Sequence, residues 1–487
     1  MRIFEMAREA AVINSIASTL GWDQETYMPS AAAQHRANQM SWLSSRSHEL
    51  ATSDAWEKAL DEAQAADDGS NPTTTANLKW LRHDFERDQK LNAELVKRAS
   101  QATSLAKHAW AEARQNNDFD AFAPHLETLL GIAKEKAELW GYEDEPYDAL
   151  LSNFERGALT RDVANLFDSV ETELRELAAA AVEKSKSNAV TLPAGPYPES
   201  AQQAFNQKIA EAMGLDFEAA RIDTTTHPFC TNLGPGDQRL TTRYYEDDFT
   251  SSLFGVLHEA GHGFYEMGLP KEDFGLPSGS SLSLGIHESQ SRLWENHVGR
   301  SRVFWEKWYP TAQEHFPQLA DFPLEDFMRH VHRANYTAIR VEADEATYDL
   351  HILLRFDMER RMLKGEIPVK DIPEAWMTGF EERFGFRPEN NTKGCLQDIH
   401  WSMGGLGYFS TYSLGNFNAA QLYKAARQDS TVANACDQAD YLPLLAWMRE
   451  KIHTQGAVGL PAELMESATG EAPNTVPYLE HLRSRYL

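Results

Sequence analysis

One five-residue pattern could bind a metal ion and use it to hydrolyse a substrate: His258-Glu259-Ala260-Gly261-His262. Residues i and i+4 of an α-helix share a face, so both imidazoles could bind the same divalent ion. Glu259 could hold a water molecule on that ion. Because two neutral imidazoles leave the charge of the ion uncompensated, we expect a third, anionic ligand. Three protein ligands and one open position are typical of a catalytic rather than a structural site.

The alternative interpretation is a buried pair of histidines on an amphipathic helix, because patterns of five residues also arise by chance. The flanking residues favour the metal site. Asp247, Asp248 and Thr250 are residue types that favour a helix N-terminus, apolar residues follow at helical spacing, and Gly268 could end the helix. The sequence therefore predicts a metal-binding helix of about five turns.

The third ligand is open from the residues alone, and four carboxylates could supply it: Glu266, Glu272, Glu288 and Glu295. Glu266 follows the second histidine by one helical turn and points along the axis, so we expect it to be exposed. Glu288 and Glu295 lie in a second predicted helix, whose many polar groups a core helix would not need. A carboxylate from such a neighbouring helix would complete a tetrahedral site of two histidines and one glutamate.

The hydrogen-bond acceptors behind the two imidazoles are a separate question. Thermolysin-type sites often carry an aspartate one turn after the ligand glutamate, but here Arg292 occupies that position if Glu288 is the ligand. The acceptors must then come from elsewhere in the chain. We consider Asp344 and Asp398 as candidates, with ordinary salt bridges as their alternative role.

The composition limits the possible partners and compartment. The chain has 487 residues, 42% of them hydrophobic, and a formal net charge of −27, which argues against nucleic-acid binding. Its three cysteines, Cys230, Cys395 and Cys436, are far apart, which is typical of a reducing compartment. Residues 1–20 lack the pattern of a secretory leader, and no run of about 18 apolar residues occurs. We therefore expect a cytoplasmic protein that does not bind membranes.

Helical periodicity dominates the chain, in the segments 3–22, 34–65, 74–115, 120–141, 161–187 and 199–213. Alternating β-branched residues are rare, and 238–245 is the candidate strand. We expect this strand at a sheet edge, where an extended peptide could pair with it. The polar stretches 66–73 and 189–199 are short, so we interpret them as loops rather than linkers. The pattern predicts a mainly α protein with a small β element near the site and one domain over 1–487.

Six segments, in the same order, resemble motifs of the carboxypeptidase Taq-type metallocarboxypeptidases, peptidase family M32. They are His227-Pro228-Phe229, Asp237-Gln238-Arg239-Leu240-Thr241, the metal-binding pattern itself, His287-Glu288-Ser289-Gln290, Ile339-Arg340-Val341-Glu342-Ala343-Asp344 and Gly394-Cys395-Leu396-Gln397-Asp398-Ile399-His400-Trp401. Segments at 22–26 and 468–471 also look like family segments, so the resemblance covers essentially the whole chain.

This resemblance implies a helical, cleft-containing fold similar to the neurolysin-like peptidases. It implies a metal site of His258, His262 and Glu288, with zinc as the expected ion and cobalt or manganese as alternatives. It further implies a homodimer that removes single residues from the free C-termini of peptides. The expected side-chain preference is broad, with poor release of C-terminal proline.

Glu259 would be the general base. The resemblance also implies that His400, Tyr408 and Tyr412 would stabilise the oxyanion, because peptidases with similar helical folds place a histidine and tyrosines after the metal-binding helices. Aromatic core packing is the alternative for the two tyrosines. Arginine suits the free carboxylate of the substrate because its guanidinium donates two parallel hydrogen bonds.

Two arginines in the motifs, Arg239 and Arg340, are therefore candidates for binding the substrate carboxylate, with structural ion pairs as the alternative. His227 could close the far end of the cleft, or have a structural role before proline. Three other functions compete with the carboxypeptidase: an endo-acting oligopeptidase, a silent metal-binding scaffold and a non-proteolytic zinc hydrolase. The intact Glu259 argues against the scaffold, because a binding site needs no general base.

Overall fold

The computed structural model describes residues 1–226 and 228–487, and it confirms the prediction of a mainly α fold with a small sheet. The α-helices are Arg2–Thr26, Ala33–Ala51, Asp54–Ala66, Pro72–Gln89, Ala93–Asn116, Phe119–Trp140, Pro146–Leu151, Thr160–Ser187, Glu199–Met213, Phe249–Gly268, Leu284–Arg292, Arg302–His315, Leu324–Val331, Tyr348–Lys364, Ile372–Phe384, Ser410–Ala426, Ser430–Cys436, Leu442–Lys451, Pro461–Thr469 and Val476–Tyr486. A π-helical stretch, Leu293–Gly299, directly continues the helix Leu284–Arg292.

The chain forms two compact units, and each is assembled from three separate segments. The first unit contains Met1–Asp88, Val190–Val331 and Asn418–Pro473. The second contains Gln89–Ala189, His332–Phe417 and Asn474–Leu487. Neither unit is contiguous in sequence, so composition along the chain gives no signal for this division. The single domain over 1–487 stays a prediction.

Two of the predicted helical segments are each interrupted by a short break. The segment 34–65 divides at Ser53, whose side-chain oxygen accepts a hydrogen bond from the Trp56 amide at 3.2 Å and so begins a new helix. The segment 74–115 divides in the same way at Asn92, which accepts from the Leu95 amide at 2.9 Å. Ser and Asn are strong N-cap residues, so a polar residue within a periodic pattern can start a second helix.

The small sheet has three strands, which we call β1 (Ala220–Thr224), β2 (Cys230–Asn232) and β3 (Gln238–Thr242). Their order is β1-β3-β2, with β1 parallel and β2 antiparallel to β3. The prediction of an edge strand at 238–245 is therefore wrong, because β3 is central and paired on both sides. The turn between β2 and β3 contains Gly234 and Gly236, both with positive φ, which lets the chain fold back within a few residues.

The helix Phe249–Gly268, which we call the motif helix, lies in the hydrophobic core of the first unit. The Phe249 ring packs against Phe316 and Phe327, with ring centroids 4.4 Å and 6.0 Å away. Leu253 and Leu257 are fully buried on the same helix. Each buried side chain of this size contributes about 1.5–3 kcal/mol, so the core holds the motif helix in place.

In the second unit, buried carboxylates of the helix Tyr348–Lys364 position the segment 400–416. Glu359 accepts hydrogen bonds from the indole of Trp401 at 2.9 Å and from the amide of Gly407 at 3.0 Å. Asp349 accepts from the side chains of Ser413 and Asn416 at 2.6 Å and 2.9 Å. These bonds hold the part of the chain that carries His400, Tyr408 and Tyr412.

Over the described ranges, no helix has the length and apolar character needed to cross a lipid bilayer.

A buried histidine of the first unit predicts a dependence of stability on pH. His453 is fully buried, its Nε2 lies 3.0 Å from Oε1 of Gln290, and burial lowers its pKa from 6.5 to about 3, with the charge of Arg449 acting in the same direction. Below pH 6.5 the unfolded chain binds a proton that the folded chain does not, so this residue destabilises the fold as the pH falls.

Between pH 7 and pH 5, we expect the free energy of unfolding of His453→Gln to fall by about 2 kcal/mol less than that of the parent chain. Urea unfolding of both proteins at the two pH values measures this difference. Equal losses would show that His453 is protonated equally in the folded and unfolded states.

Candidate metal centre

The motif helix has the boundaries that its sequence predicts. The Asp248 side chain accepts a hydrogen bond from the Thr250 amide at 2.9 Å and so caps the N-terminus, and the helix ends at Gly268. His258 and His262 lie one turn apart on one face, with ring centroids separated by 5.0 Å. Helix geometry thus places both imidazoles side by side.

The second helix of the site, Leu284–Arg292, approaches the motif helix very closely at Gly261. A Cβ atom on Gly261 would lie 2.5 Å from the carbonyl oxygen of Gln290 and 2.6 Å from Cα of Ser291. No side chain fits there. Glycine at this position inside the pattern therefore permits the helix spacing that brings Glu288 to the two histidines.

The three predicted ligands come together in the first unit. Nε2 of His258 lies 3.8 Å from Oε2 of Glu288, and Nε2 of His262 lies 3.6 Å from the same oxygen. The three possible ligand atoms all lie within 4.8 Å of one another. Ligand atoms bound at about 2.0–2.1 Å around a tetrahedral ion are about 3.3 Å apart. This donor set therefore fits a small divalent ion.

Arg292 orients the carboxylate of Glu288. Its Nε donates to Oε1 of Glu288 at 2.6 Å, while Oε2 is the oxygen that faces the two imidazoles. The arginine that replaces the expected aspartate one turn after Glu288 thus binds the ligand itself. Only 8% of the Glu288 side chain is exposed, so this charge-assisted bond is shielded from water.

Glu295 supports His258 from behind. Its Oε2 lies 2.9 Å from Nδ1 of His258, and its Oε1 accepts from Arg300 at 2.9 Å. Burial by itself would raise the pKa of Glu295, but the hydrogen bond with His258 and the charges of Arg292 and Arg300 hold that pKa well below its usual range. Glu295 lies in the π-helical stretch Leu293–Gly299, a backbone form found frequently at functional sites.

His262 is supported by another imidazole rather than by a carboxylate. Its Nδ1 lies 2.6 Å from Nδ1 of His287, whose Nε2 lies 2.9 Å from Oε1 of Glu266. The expectation that Glu266 is exposed is wrong, since only 15% of its side chain is accessible. Neighbouring elements cover it: Asn232 of β2 donates to its Oε2 at 2.8 Å.

The expectation that Asp344 or Asp398 supplies these acceptors is also wrong. Asp344 accepts the amide of Asn335 at 2.6 Å and the amide of Thr347 at 3.2 Å, and so stabilises local backbone. Asp398 forms salt bridges with two arginines of the second unit. Sequence reasoning missed Glu295 and His287 in this role. Glu295 follows Glu288 by about two helical turns, a spacing that indicates the same face, whereas His287 directly precedes Glu288 and no spacing identifies it.

Glu259 has the surroundings of a general base. Glu259 is only 7% exposed, and burial raises its pKa from 4.5 to about 7. The neighbouring His258 lowers this pKa, whereas the charges of Glu288 and Glu295 raise it further. A carboxylate with a pKa near neutrality can accept a proton and release it again under ordinary conditions.

The two candidate arginines lie in different units. Arg239 of β3 donates from Nη2 to Oδ2 of Asp237 at 2.9 Å, and its guanidinium lies 4.5 Å from the ring centroid of Trp22. Arg340 is buried in the second unit, where Nη2 donates to Oδ1 of Asp398 at 2.8 Å and Nη1 donates to Tyr348 at 2.9 Å. Both guanidiniums therefore already have a carboxylate partner.

The three predicted oxyanion-stabilising residues form one cluster in the second unit. Nε2 of His400 lies 3.4 Å from the hydroxyl of Tyr412, and the His400 ring centroid lies 5.1 Å from that of Tyr408. Burial lowers the pKa of His400 to about 4, partly opposed by the charge of Asp398, so the ring is neutral at pH 7. The guanidinium of Arg340 lies 5.1 Å from the Tyr412 ring. His227 lies outside the described residues.

The sequence matches the family model described as carboxypeptidase Taq (M32) metallopeptidase over residues 2–486. Thermostable carboxypeptidase 1 of Thermus thermophilus is 40% identical, over 99% of this chain and 97% of the relative. Carboxypeptidase 1 of Bacillus subtilis is 32% identical, again over 99% and 97%.

Solved structures show the same similarity. The M32 carboxypeptidase from Deinococcus radiodurans superposes with a TM-score of 0.95 at 37% identity, covering 100% of this chain and 98% of that one. Trypanosoma cruzi metallocarboxypeptidase 1 gives a TM-score of 0.95 at 34% identity, with the same coverage of 100% and 98%.

Proposed function

This chain belongs to the carboxypeptidase Taq (M32) family of metallopeptidases, and from that membership we propose that His258, His262 and Glu288 form its catalytic metal centre. The chain is a metallocarboxypeptidase, a hydrolase that acts on peptides. The observation that carries the proposed ligand set is the convergence of two imidazole nitrogens and one carboxylate oxygen within 4.8 Å of one another. We further propose that it removes single residues from free C-termini, with broad preference and poor release of proline.

Zinc is the metal that we propose, because two histidines and one glutamate form a common three-ligand zinc site with an open fourth position. Cobalt and manganese are the alternatives that the same donors accept. Metal analysis of the purified protein, followed by reactivation of the metal-free protein with each ion, distinguishes the three.

In the proposed reaction, Glu259 moves the proton. His258, His262 and Glu288 would hold a divalent ion, which would supply Lewis-acid polarisation of the scissile carbonyl and a lowered pKa for water. The Glu259 carboxylate accepts the proton of the attacking water and passes it to the leaving amine. Burial raises the pKa of Glu259 above its usual value, which favours acceptance of the proton.

His400, Tyr408 and Tyr412 are proposed as donors to the developing oxyanion. Support comes from their clustering and from the depressed pKa of His400, which keeps its ring neutral. A neutral imidazole and two phenols can each donate a hydrogen bond to an oxyanion without losing a proton.

The substrate carboxylate needs a positive partner, and the surroundings of Arg340 favour it over Arg239. Arg340 and Arg355 share the single carboxylate of Asp398, at 2.8 Å and 2.5 Å. Two buried guanidiniums thus share one carboxylate, so a bound substrate carboxylate would give Arg340 a second charge-assisted partner. Arg239, in contrast, forms a closed one-to-one pair with Asp237.

We expect Arg340→Met to lower kcat/KM on free-acid peptides by tenfold or more, because loss of a partly buried charge pair typically costs about 2–5 kcal/mol. The same change should reduce the preference for a free acid over the matching C-terminal amide. Arg239→Met is the matched comparison. Misfolding would lower kcat/KM on the free acid and on the amide together. If both variants keep the acid-to-amide ratio of the parent chain, neither arginine binds the substrate carboxylate.

The proposed specificity is tested with a short peptide, its C-terminally amidated twin and a twin blocked at both ends. Mass spectrometry of the products should show stepwise trimming of the free acid alone. Internal cleavage of the doubly blocked peptide would instead support the endo-acting oligopeptidase. Absence of turnover on every peptide by metal-loaded protein would support the silent scaffold.

The homodimer and the cytoplasmic location are also proposals. Cys230, Cys395 and Cys436 are free thiols in the structure, which suits a reducing compartment. Light scattering after gel filtration measures the oligomeric state, and a monomer across the micromolar range would contradict the homodimer.

A further inference from the structure

We propose that Glu266, acting through His287, is a positioning residue that sets which nitrogen of His262 carries the proton. The resulting tautomer is the one that can bind metal through Nε2. This inference rests on the proposed ligand set of His258, His262 and Glu288, and it assigns a role to two residues that the proposed reaction does not use.

The geometry allows only one proton between the two imidazoles. Nδ1 of His262 and Nδ1 of His287 face each other at 2.6 Å, so one nitrogen must donate and the other must accept. Nε2 of His262 is the atom that faces Glu288, at 3.6 Å. A nitrogen that binds metal carries no proton, so Nδ1 of a metal-bound neutral His262 must be the donor. Nδ1 of His287 must then be the acceptor.

A neutral His287 that accepts through Nδ1 carries its own proton on Nε2. That nitrogen lies 2.9 Å from Oε1 of Glu266, and an ionised carboxylate can only accept. Glu266 accepts hydrogen bonds on both carboxylate oxygens, from His287 and from Asn232, and these bonds favour its ionised form. Glu266 therefore dictates the tautomer of His287, which in turn dictates the tautomer of His262.

Asn232 makes this arrangement specific for a carboxylate. Its Oδ1 accepts the Gly234 amide at 2.8 Å, which leaves its side-chain NH₂ to donate to Oε2 of Glu266 at 2.8 Å. Glu266 thus receives a donor on each oxygen. A glutamine at this position has one oxygen and one NH₂ group, so it can satisfy Asn232 or His287 but not both.

The two metal-binding histidines are therefore supported differently. His258 contacts the carboxylate of Glu295 directly, at 2.9 Å, whereas a neutral imidazole separates His262 from the carboxylate of Glu266. The pair His287–Glu266 orders the ring of His262 without adding a second negative charge next to it. The His287 ring is itself packed against Tyr265, with centroids 5.2 Å apart, which limits its rotation.

The test is Glu266→Gln, with the dissociation constant for zinc measured by competition with a chromophoric chelator. If the glutamine turns its NH₂ group towards His287, that ring must carry its proton on Nδ1, opposite the protonated Nδ1 of His262. We expect zinc affinity to fall by at least about tenfold, the lower end of the 10–100-fold effect of residues that orient metal ligands. The visible absorption of the cobalt-loaded protein should change as well.

A compensating change separates the tautomer effect from simple loss of charge or packing. In Glu266→Gln/Asn232→Asp, the new aspartate can accept both the Gly234 amide and the glutamine NH₂ group. The glutamine oxygen is then free to accept from Nε2 of His287. We expect the double variant to recover zinc affinity to within about threefold of the parent chain. Asn232→Asp alone, which places two carboxylates together, should not improve affinity.

Glu211→Gln is the matched control. Glu211 is an exposed helical glutamate of the same unit, and it accepts an amide hydrogen bond from Gln207 at 3.0 Å. This variant should bind zinc as the parent chain does. Circular dichroism of each metal-free variant establishes that it is folded.

Parent-like zinc affinity in Glu266→Gln would overturn the inference, and so would a double variant as weak as the single one. The ligand set is tested separately with His262→Ala. If His262→Ala still binds zinc tightly, the proposed metal centre is wrong. If His262→Ala loses zinc while Glu266→Gln keeps it, only the positioning role of Glu266 is wrong.

Discussion

Replacing Glu259 with glutamine is expected to lower kcat by at least about a hundredfold while the metal stays bound. Glutamine has nearly the same shape as glutamate but cannot accept the proton of the attacking water. The proposed ligands, His258, His262 and Glu288, are untouched, so metal content should match that of the parent chain. Steady-state kinetics on a free-acid peptide, together with metal analysis of the same sample, measures both quantities.

Glu211→Gln serves again as the control for a change from carboxylate to amide, because its side chain is exposed. It should keep the kcat of the parent chain. Near-normal turnover of metal-loaded Glu259→Gln would contradict the assignment of Glu259 as the general base. Loss of metal from that variant would instead point to a direct ligand role for Glu259.

Replacing Glu288 with alanine is expected to abolish activity by removing the metal. The change deletes the anionic ligand and leaves Arg292, which donates to Glu288 at 2.6 Å, without this partner beside the two imidazoles. The positive charge of Arg292 then lies beside the site with one carboxylate fewer, which disfavours binding of a cation. We therefore expect zinc affinity to fall by more than the roughly 10–100-fold loss that is typical when a residue hydrogen-bonded to a metal ligand is replaced.

Metal content after dialysis, and the dissociation constant from chelator competition, measure this loss. Glu211→Ala is the control, and it should keep its metal. Glu295→Ala is an informative comparison, since it removes a hydrogen-bond partner of His258 rather than a ligand. If Glu295→Ala loses more affinity than Glu288→Ala, the third ligand is Glu295, the alternative that the sequence left open.

The local features of the site could be predicted from the sequence because they depend on helix geometry and capping. Asp248 begins the motif helix and Gly268 ends it, as predicted. Four residues of separation then place His258 and His262 on one face, wherever the helix lies in the fold. The choice of Glu288 required both the polar second helix and the family resemblance, since spacing alone does not say which carboxylate a neighbouring helix presents.

The strand pairing could not be predicted, because it depends on a partner elsewhere in the chain. The alternation in 238–245 indicates a strand but not its neighbours, and β3 is flanked on both sides. The exposure of Glu266 was predicted wrongly for the same reason. Its surroundings come from Asn232 and His287, which lie 34 and 21 residues away in sequence.

The sequence by itself determined the helical class of this protein, the boundaries of the motif helix and the placement of His258 and His262 on one face of it. The helical class follows from the periodicity of many segments, and the other two features follow from interactions within about five turns of one helix. Only the tertiary structure decided which side chain hydrogen-bonds to each proposed ligand. Glu295 contacts His258, Arg292 donates to Glu288, and His287, itself bonded to Glu266, contacts His262. These contacts exist because two helices meet at Gly261, where a side chain of any size would keep them apart, and such a close approach depends on packing that no local spacing encodes.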